Sequence, residues 1–249
     1  MTRVVTRKEN ESHKRSKLLQ ALLFVMLLLV AVYFFLNSAF FTVDQIIVNG
    51  IDQMAPQTVL DLSGITKGMN PFKIDINQVE KKIELSAMVA KVEVRVKFPD
   101  SVTINVKERK PAALLSSRGG FMLLDNEGYY ISLAEKITDY SFPLISGVEV
   151  PPSLAPGEKL SGKGVSEALA VVGSLAGDDN ALFSEIVVTS GYSIIMYTID
   201  GVKVVMGEGS DVGRKLQWFK QIRQQAINDG KTLKYVDVSF QGNPVVKYN

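Results

Sequence analysis

The sequence contains no cysteine, a single histidine and a single tryptophan in 249 residues. Without cysteine there can be no disulfide, no thiolate nucleophile and no cysteine-ligated metal. The lone histidine, His13, lies in the basic N-terminal stretch ahead of a long apolar run. Neither a His-based triad nor a His-ligated metal site can therefore form in the rest of the chain. Basic residues are also scarce as a cluster anywhere beyond the N-terminus. The chain carries 28 Lys and Arg against 26 Asp and Glu, but the first seventeen residues hold six basic and two acidic groups, a net +4, which leaves −2 for the remainder. A mildly acidic body without a basic stripe argues against nucleic-acid binding, which needs clustered cations to replace phosphate counterions.

What is present in excess is one uninterrupted apolar segment. Leu18 to Leu36 (LLQALLFVMLLLVAVYFFL) spans nineteen residues in which only Gln20 and Tyr33 carry polar side-chain atoms. As a helix it would be about 28 Å long at ~1.5 Å per residue, close to a hydrocarbon core of about 30 Å. Lys14, Arg15 and Lys17 abut its start, whereas Asn37 to Pro56 contain no Lys or Arg. The positive-inside rule then predicts a cytoplasmic tail over residues 1–17, a transmembrane helix over 18–38 and everything later outside the cytoplasm. A cleavable signal peptide fits less well, because its apolar region is typically about 7–15 residues and Asn37-Ser38-Ala39 is a poor cleavage site. A core helix is disfavoured by the lack of any polar face.

Beyond the segment the pattern is short and mixed. Phe41–Val48 (FTVDQIIV) has strand composition and ends at the turn signal Asn49-Gly50. Pro56 suits a first helical turn, Val59, Leu60 and Leu62 supply an apolar face, and Gly64 stops the helix. Asp75, with Gln78 three residues on, predicts a capped helix carrying Ile76, Val79 and Ile83 on one face. The period then switches to two. Val92, Val94, Val96 and Phe98 alternate with charged residues, Pro99-Asp100 turns the chain, and Val102, Ile104 and Val106 alternate with polar ones. The order is β-α-α-β-β, a sheet with one covered face.

From residue 111 onward, AALLS, FMLLD and YYISL read as antiparallel strands separated by turns at Arg118-Gly119-Gly120 and Asn126-Glu127-Gly128. Pro143–Gly164 reads as a long loop. A helix with Val165, Leu169 and Val172 on one face follows. IVVTS, SIIMYTI and VKVVM are strands, with Asp200-Gly201 as a type I′ turn signal between the last two. Asp211 is placed to cap a helix bearing Val212, Leu216, Phe219, Ile222 and Ala226, stopped by Gly230, and Trp218 flanks that apolar stripe. LKYVDVSF and PVVKY complete the chain as strands. The fold class expected is α+β: an N-terminal transmembrane helix, a β-α-α-β-β domain over 39–110 and a mostly antiparallel β domain with two helices over 111–249.

The loop GITKGMNPFKID, the hairpin FPDSVTINVKERKP with its exit Glu108-Arg109-Lys110-Pro111, the segment FMLLDNEGYYI and the late YVDVSF together resemble the FtsQ/DivIB cell-division family. The first domain resembles that family's POTRA domain. One departure is Ala87-Met88-Val89, where many relatives carry a proline before the second strand.

Enzymatic motifs are few. Gly157–Lys163 matches G-x-x-x-x-G-K of a P-loop, but Gly164 stands where Mg²⁺ coordination needs Ser or Thr, and a loop precedes it in place of a strand. Asp178-Asp179 reads as a solvated turn. A membrane-anchored Ser-Lys hydrolase remains as an alternative function, without a pair that the sequence brings together. A POTRA module of a β-barrel assembly protein is a second alternative, but the many alternating strands of a barrel are missing.

The resemblance implies a non-enzymatic divisome scaffold at the septum of the bacterial inner membrane, with no cofactor, metal or small-molecule substrate. Its implied partners are FtsL-like and FtsB/DivIC-like bitopic membrane proteins, through which it would influence septal cell-wall synthesis. The implied partner-binding residues are Tyr235, Val236, Asp237, Val238, Ser239 and Phe240, with Val245, Val246, Lys247 and Tyr248 beside them. The alternative is that these are ordinary core-facing and solvent-facing strand residues.

Overall fold

The computed structural model describes residues 5–117, 120–134, 142–175 and 181–249, with side chains from Lys17 onward. Helix α1 runs Val5–Leu36. Its part from Lys17 to Leu36 has a mean hydropathy of 2.7 and contributes no buried residue. This is an N-terminal apolar helix long enough to serve as a single-pass membrane anchor. The chain divides into two compact units: residues 1–83 with 92–106, and residues 84–91 with 107–249.

In the first unit, β1 (Gln45–Asn49), β2 (Val89–Lys97) and β3 (Ser101–Glu108) form a sheet in the order β1-β3-β2. Strand β1 lies parallel to β3, with Ile46 opposite Val102 and Val48 opposite Ile104. The predicted strand started too early. Val43 instead exchanges backbone bonds with the loop at Gly68 and Met69, and Phe41 joins an aromatic cluster. Helix α2 (Pro56–Ser63) ends on Gly64 at φ 68, whose N–H returns to Leu60 O. Helix α3 (Ile76–Glu84) is capped as predicted, Asp75 Oδ1 accepting the Gln78 N–H at 3.1 Å. Val59, Val79, Ile83, Val92, Val94, Val102, Ile104 and Val106 are buried. The alternation weakens toward the hairpin tip, where Phe98 is exposed.

The second unit is built on one nine-stranded sheet among the described residues, ordered β12-β11-β10-β9-β8-β7-β4-β5-β6. In chain order these are β4 (Pro111–Ser117), β5 (Gly120–Asp125), β6 (Tyr130–Ala134), β7 (Leu144–Ser146), β8 (Phe183–Val188), β9 (Ile194–Thr198), β10 (Lys203–Gly207), β11 (Leu233–Asp237) and β12 (Val245–Tyr248). Helices α4 (Lys163–Ser174) and α5 (Val212–Asn228) pack against the sheet and each other. Their apolar stripes meet Ala113, Leu115, Ile186, Ile194, Met196, Val204 and Val236 in the main core. Leu114, Leu123 and Ile131 form a smaller core. Strand β4 is therefore buried on both faces, which is why AALLS is continuously apolar.

Three expectations need correction. The stretch read as a long loop contains β7, which lies parallel to both β4 and β8 in mid-sheet. Three residues are too short for a period to register. The Asp200-Gly201 turn is not type I′, since only Gly201 has positive φ, at 84°. Asp200 accepts from the Thr198 hydroxyl, and that hydroxyl in turn accepts the Val202 N–H, so side chains shape the turn. Asp211 stands at the start of α5 but makes no capping hydrogen bond; it is left-handed, at φ 54, and pairs with Arg214 at 2.9 Å.

Candidate interaction edge

The sequence-predicted binding residues fall at one end of the nine-stranded sheet, but they do not form a single edge. Strand β11 lies between β10, to which it is parallel, and β12, to which it is antiparallel. Tyr235, Val236 and Asp237 therefore have both backbone sides occupied. Val238, Ser239 and Phe240 lie beyond β11; Val238 is buried and sends its N–H to Val205 O at 3.0 Å. Ser239 sits against Gly207, where a Cβ would come within 2.8 Å of the serine Cβ, so only glycine permits this approach.

Strand β12 is different: it is the last strand of the sheet. The Asn249 N–H donates to Thr232 O at 3.0 Å. Because successive residues of a strand point their polar groups to alternate sides, Lys247 and Val245 must also face β11. Val246 and Tyr248 then face outward. The register agrees. Val238 bonds toward β10, so Val236 does too, and its opposite number Val246 cannot be bonded to β11. The outer side of β12 thus presents the N–H and C=O groups of Val246 and Tyr248 with no described strand beyond them. The Val246 side chain packs against the main core, while Val245 and Tyr248 are exposed.

Behind this edge the exposed face of the sheet carries a cross-strand row in which Glu185 lies opposite Tyr197, Tyr197 opposite Lys203, Lys203 opposite Tyr235 and Tyr235 opposite Lys247. Lys247 Nζ lies 5.5 Å from the Tyr235 ring centre and Lys231 Nζ 5.4 Å from that of Tyr248. These contacts hold the last strand against its neighbour. Tyr235 donates its hydroxyl to Asp237 at 2.9 Å, and Asp237 also accepts from the Ser239 N–H and hydroxyl. Burial alone would raise the Asp237 carboxyl, but the Ser239 and Tyr235 hydrogen bonds outweigh it and hold the group below the usual carboxylate value. The Tyr235 phenol is raised by burial, its bond to Asp237 and that residue's charge.

The opposite end of the sheet is partly closed. Tyr130 of β6 sends its N–H to Glu158 O and accepts from the Gly157 N–H, and Tyr129 bridges to Lys159. The P-loop-like stretch is thereby accounted for. Its amides at Gly157, Glu158 and Leu160 are bonded to Tyr130, Ala155 and Gly128, so these three are not available to a phosphate. Asp178-Asp179 lies outside the described residues. Trp218 packs at the margin of the core with Arg214 over its ring at 4.9 Å.

One pairing escaped the sequence reading. Arg109, from the hairpin exit, and Asp125, from the Asp-x-x-Gly segment, form a buried ion pair at 2.6 Å. Asp125 also accepts the Glu127 and Tyr129 N–H groups, and the Arg109 guanidinium lies 3.6 Å over the Tyr129 ring. Two motifs noted separately are thus halves of one structural lock; its one sequence signal is Asp125 closing the apolar strand FMLLD, while Arg109 is hidden in the charged run Lys107–Lys110.

The chain matches the family described as POTRA domain, FtsQ-type, over residues 41–109, and that described as Cell division protein FtsQ/DivIB, C-terminal, over residues 112–239. Strand β12 lies past the second range. Among curated proteins, the Cell division protein FtsQ of Syntrophotalea carbinolica is 32% identical over 84% of this chain and 75% of its own length. The Cell division protein DivIB of Clostridium acetobutylicum is 26% identical over 84% of each. A solved structure of the major extracytoplasmic domain of DivIB from Geobacillus stearothermophilus aligns at 22% identity and TM-score 0.35, covering 50% of this chain and 97% of that one.

Proposed function

The chain belongs to the FtsQ/DivIB family of cell-division proteins, and from that premise we propose that it is a non-enzymatic, membrane-anchored scaffold of the division machinery. Helix α1 holds it in the bacterial inner membrane with the basic tail in the cytoplasm and both folded units outside, at the division septum. There the outer edge of β12 receives an extended segment of a small bitopic division protein, of the FtsL-like or FtsB/DivIC-like kind, and so couples the scaffold to septal cell-wall synthesis. The observation that carries this reading is the outward-facing backbone of Val246 and Tyr248, since an open strand edge is a ready-made receptor for another strand. The charge asymmetry around α1 supports the orientation.

Affinity in strand addition comes mainly from main-chain hydrogen bonds. Val246→Pro removes an outward N–H that β11 does not use, so it should abolish co-purification of the partner while leaving the thermal melt nearly unmoved. Truncation after Gly242 removes the whole of β12, including the Val246 side chain that packs on the core, and should likewise abolish capture without preventing membrane insertion or folding of the first unit. Partner capture by both folded variants would place the interface elsewhere. Orientation has its own check: protease added to intact spheroplasts should digest the folded units and spare the tail, and the reverse pattern would invert the topology.

A further inference from the structure

We propose that the first unit is seated on the bilayer itself, with the aromatic tip formed by Phe72 and Phe98 lying in the interfacial zone of the leaflet from which α1 emerges. The inference rests on the reading of α1 as a spanning anchor, and adds a second, non-helical contact with lipid.

The observation is a column of aromatic rings that begins inside the apolar helix and ends at the hairpin tip. Phe35 of α1 meets Phe41 edge-on at 5.2 Å and Phe40 at 6.4 Å. Phe41 meets Phe72 at 5.1 Å, and Phe72 stacks on Phe98 at 4.5 Å. In a water-soluble unit such rings would be expected to turn inward, yet Phe40 is 64%, Phe72 48% and Phe98 49% exposed. Met69, beside them in the loop, is exposed as well. Contiguous apolar surface of this kind marks a docking face.

What covers it is indicated by what the loop is fastened to. Asn70 Nδ2 donates at 2.7 Å to the carbonyl of Leu36, the last residue of α1. That bond satisfies one of the carbonyls a helix end leaves open. It also fixes the loop bearing Phe72 at the depth where the helix leaves the hydrocarbon. Strand β1 starts at this end, since the Asp44 N–H donates to Asp100 O at the hairpin turn, and so the Phe98 tip shares the same level. Phe side chains without a polar handle insert at the boundary between headgroups and acyl chains, as they do on the apolar face of interfacial helices. Lys73 and Lys97, each next to one of the two tip rings and exposed, can extend their ammonium groups to anionic headgroups while their stems stay among the rings.

The test uses the full chain reconstituted alone into vesicles of phosphatidylcholine and phosphatidylglycerol, so that no protein partner can cover the tip. Trp218 is first replaced (Trp218→Phe) to give a silent background, and single reporters are introduced as Leu27→Trp, Phe72→Trp, Phe98→Trp and Asp52→Trp. Asp52 is exposed beyond the far end of β1, about 15 Å or more from the tip at ~3.3 Å per strand residue. With acyl-chain-brominated lipids, the Leu27, Phe72 and Phe98 reporters should be blue-shifted and quenched severalfold. The Asp52 reporter should be quenched only by aqueous iodide. Quenching at Leu27 with both tip reporters behaving like Asp52 would leave the anchor standing and overturn the seat. Absence of lipid quenching at Leu27 would remove the anchor reading, and the seat with it.

Discussion

Two sheet edges, one in each unit, are treated in opposite ways. In the first unit the edge strand β2 is sealed at its middle, where Val94 sends its N–H to Glu80 Oε1 of α3 at 2.8 Å, a side chain standing where another strand would bond. In the second unit β12 has no such cover among the described residues, and Val246 and Tyr248 face outward with their backbone groups available. Proteins suppress unwanted strand pairing at their edges with charged side chains, bulges or covering segments. An outer edge without such a side chain is a difference that the proposed strand addition would use.

The largest effect should come from removing the platform under the open edge. Asp125→Ala leaves the Arg109 guanidinium buried beside Tyr129 with no counter-charge, at a cost of about 3–5 kcal/mol. Thermal melts should show the second unit's transition lowered and the first unit's retained. Partner capture should fall with the second unit, which would tie binding to the nine-stranded sheet. Loss of both transitions together would mean that the pair supports more than the sheet carrying β12.

A smaller effect is expected at the sealed edge. Glu80→Ala opens β2 and removes one charge-assisted hydrogen bond, worth about 1–3 kcal/mol. The first unit should melt earlier while partner capture through β12 stays unchanged. If capture also fell, the two edges would not be independent and the contrast between them would lose its meaning.

The sequence carried the first unit further than the second because its signals are local. The Asp75 cap, the Gly64 stop and the alternation at Val92 and Val94 each involve residues a few positions apart, and each is found in the structure. In the second unit the strand order depends on contacts between distant segments. Strand β7 is three residues long among prolines and glycines, so no period announces it, yet it joins the two halves of the sheet. The candidate edge was legible as two terminal strands but not as inner and outer. YVDVSF and PVVKY have similar composition, and only the pairing of β11 with β10 shows which of them is covered. The Arg109–Asp125 lock was invisible for the same reason, its partners being sixteen residues apart on neighbouring strand ends.

The smallest effect distinguishes the covered strand from the open one by pH. Asp237, on β11, has its carboxyl held below the usual value because the Ser239 and Tyr235 hydrogen bonds outweigh burial. A depressed folded-state value means that the unfolded chain binds the proton first, so the stabilisation is complete above the ordinary carboxylate value of about 3.9 and is lost as pH falls through the lower folded value. The difference in melting temperature between wild type and Asp237→Asn should therefore be constant from neutral pH down to about pH 5, and should shrink below about pH 4. Partner capture at neutral pH should survive the substitution, because Asp237 belongs to the strand whose backbone is already occupied on both sides. A pH-independent gap would show that the Asp237 carboxyl holds its proton equally well in the folded and unfolded chain, so that the Ser239 and Tyr235 hydrogen bonds do not favour its charged form. Loss of capture with an unchanged melt would move the receptor surface from the outer side of β12 to the β11–Ser239 turn.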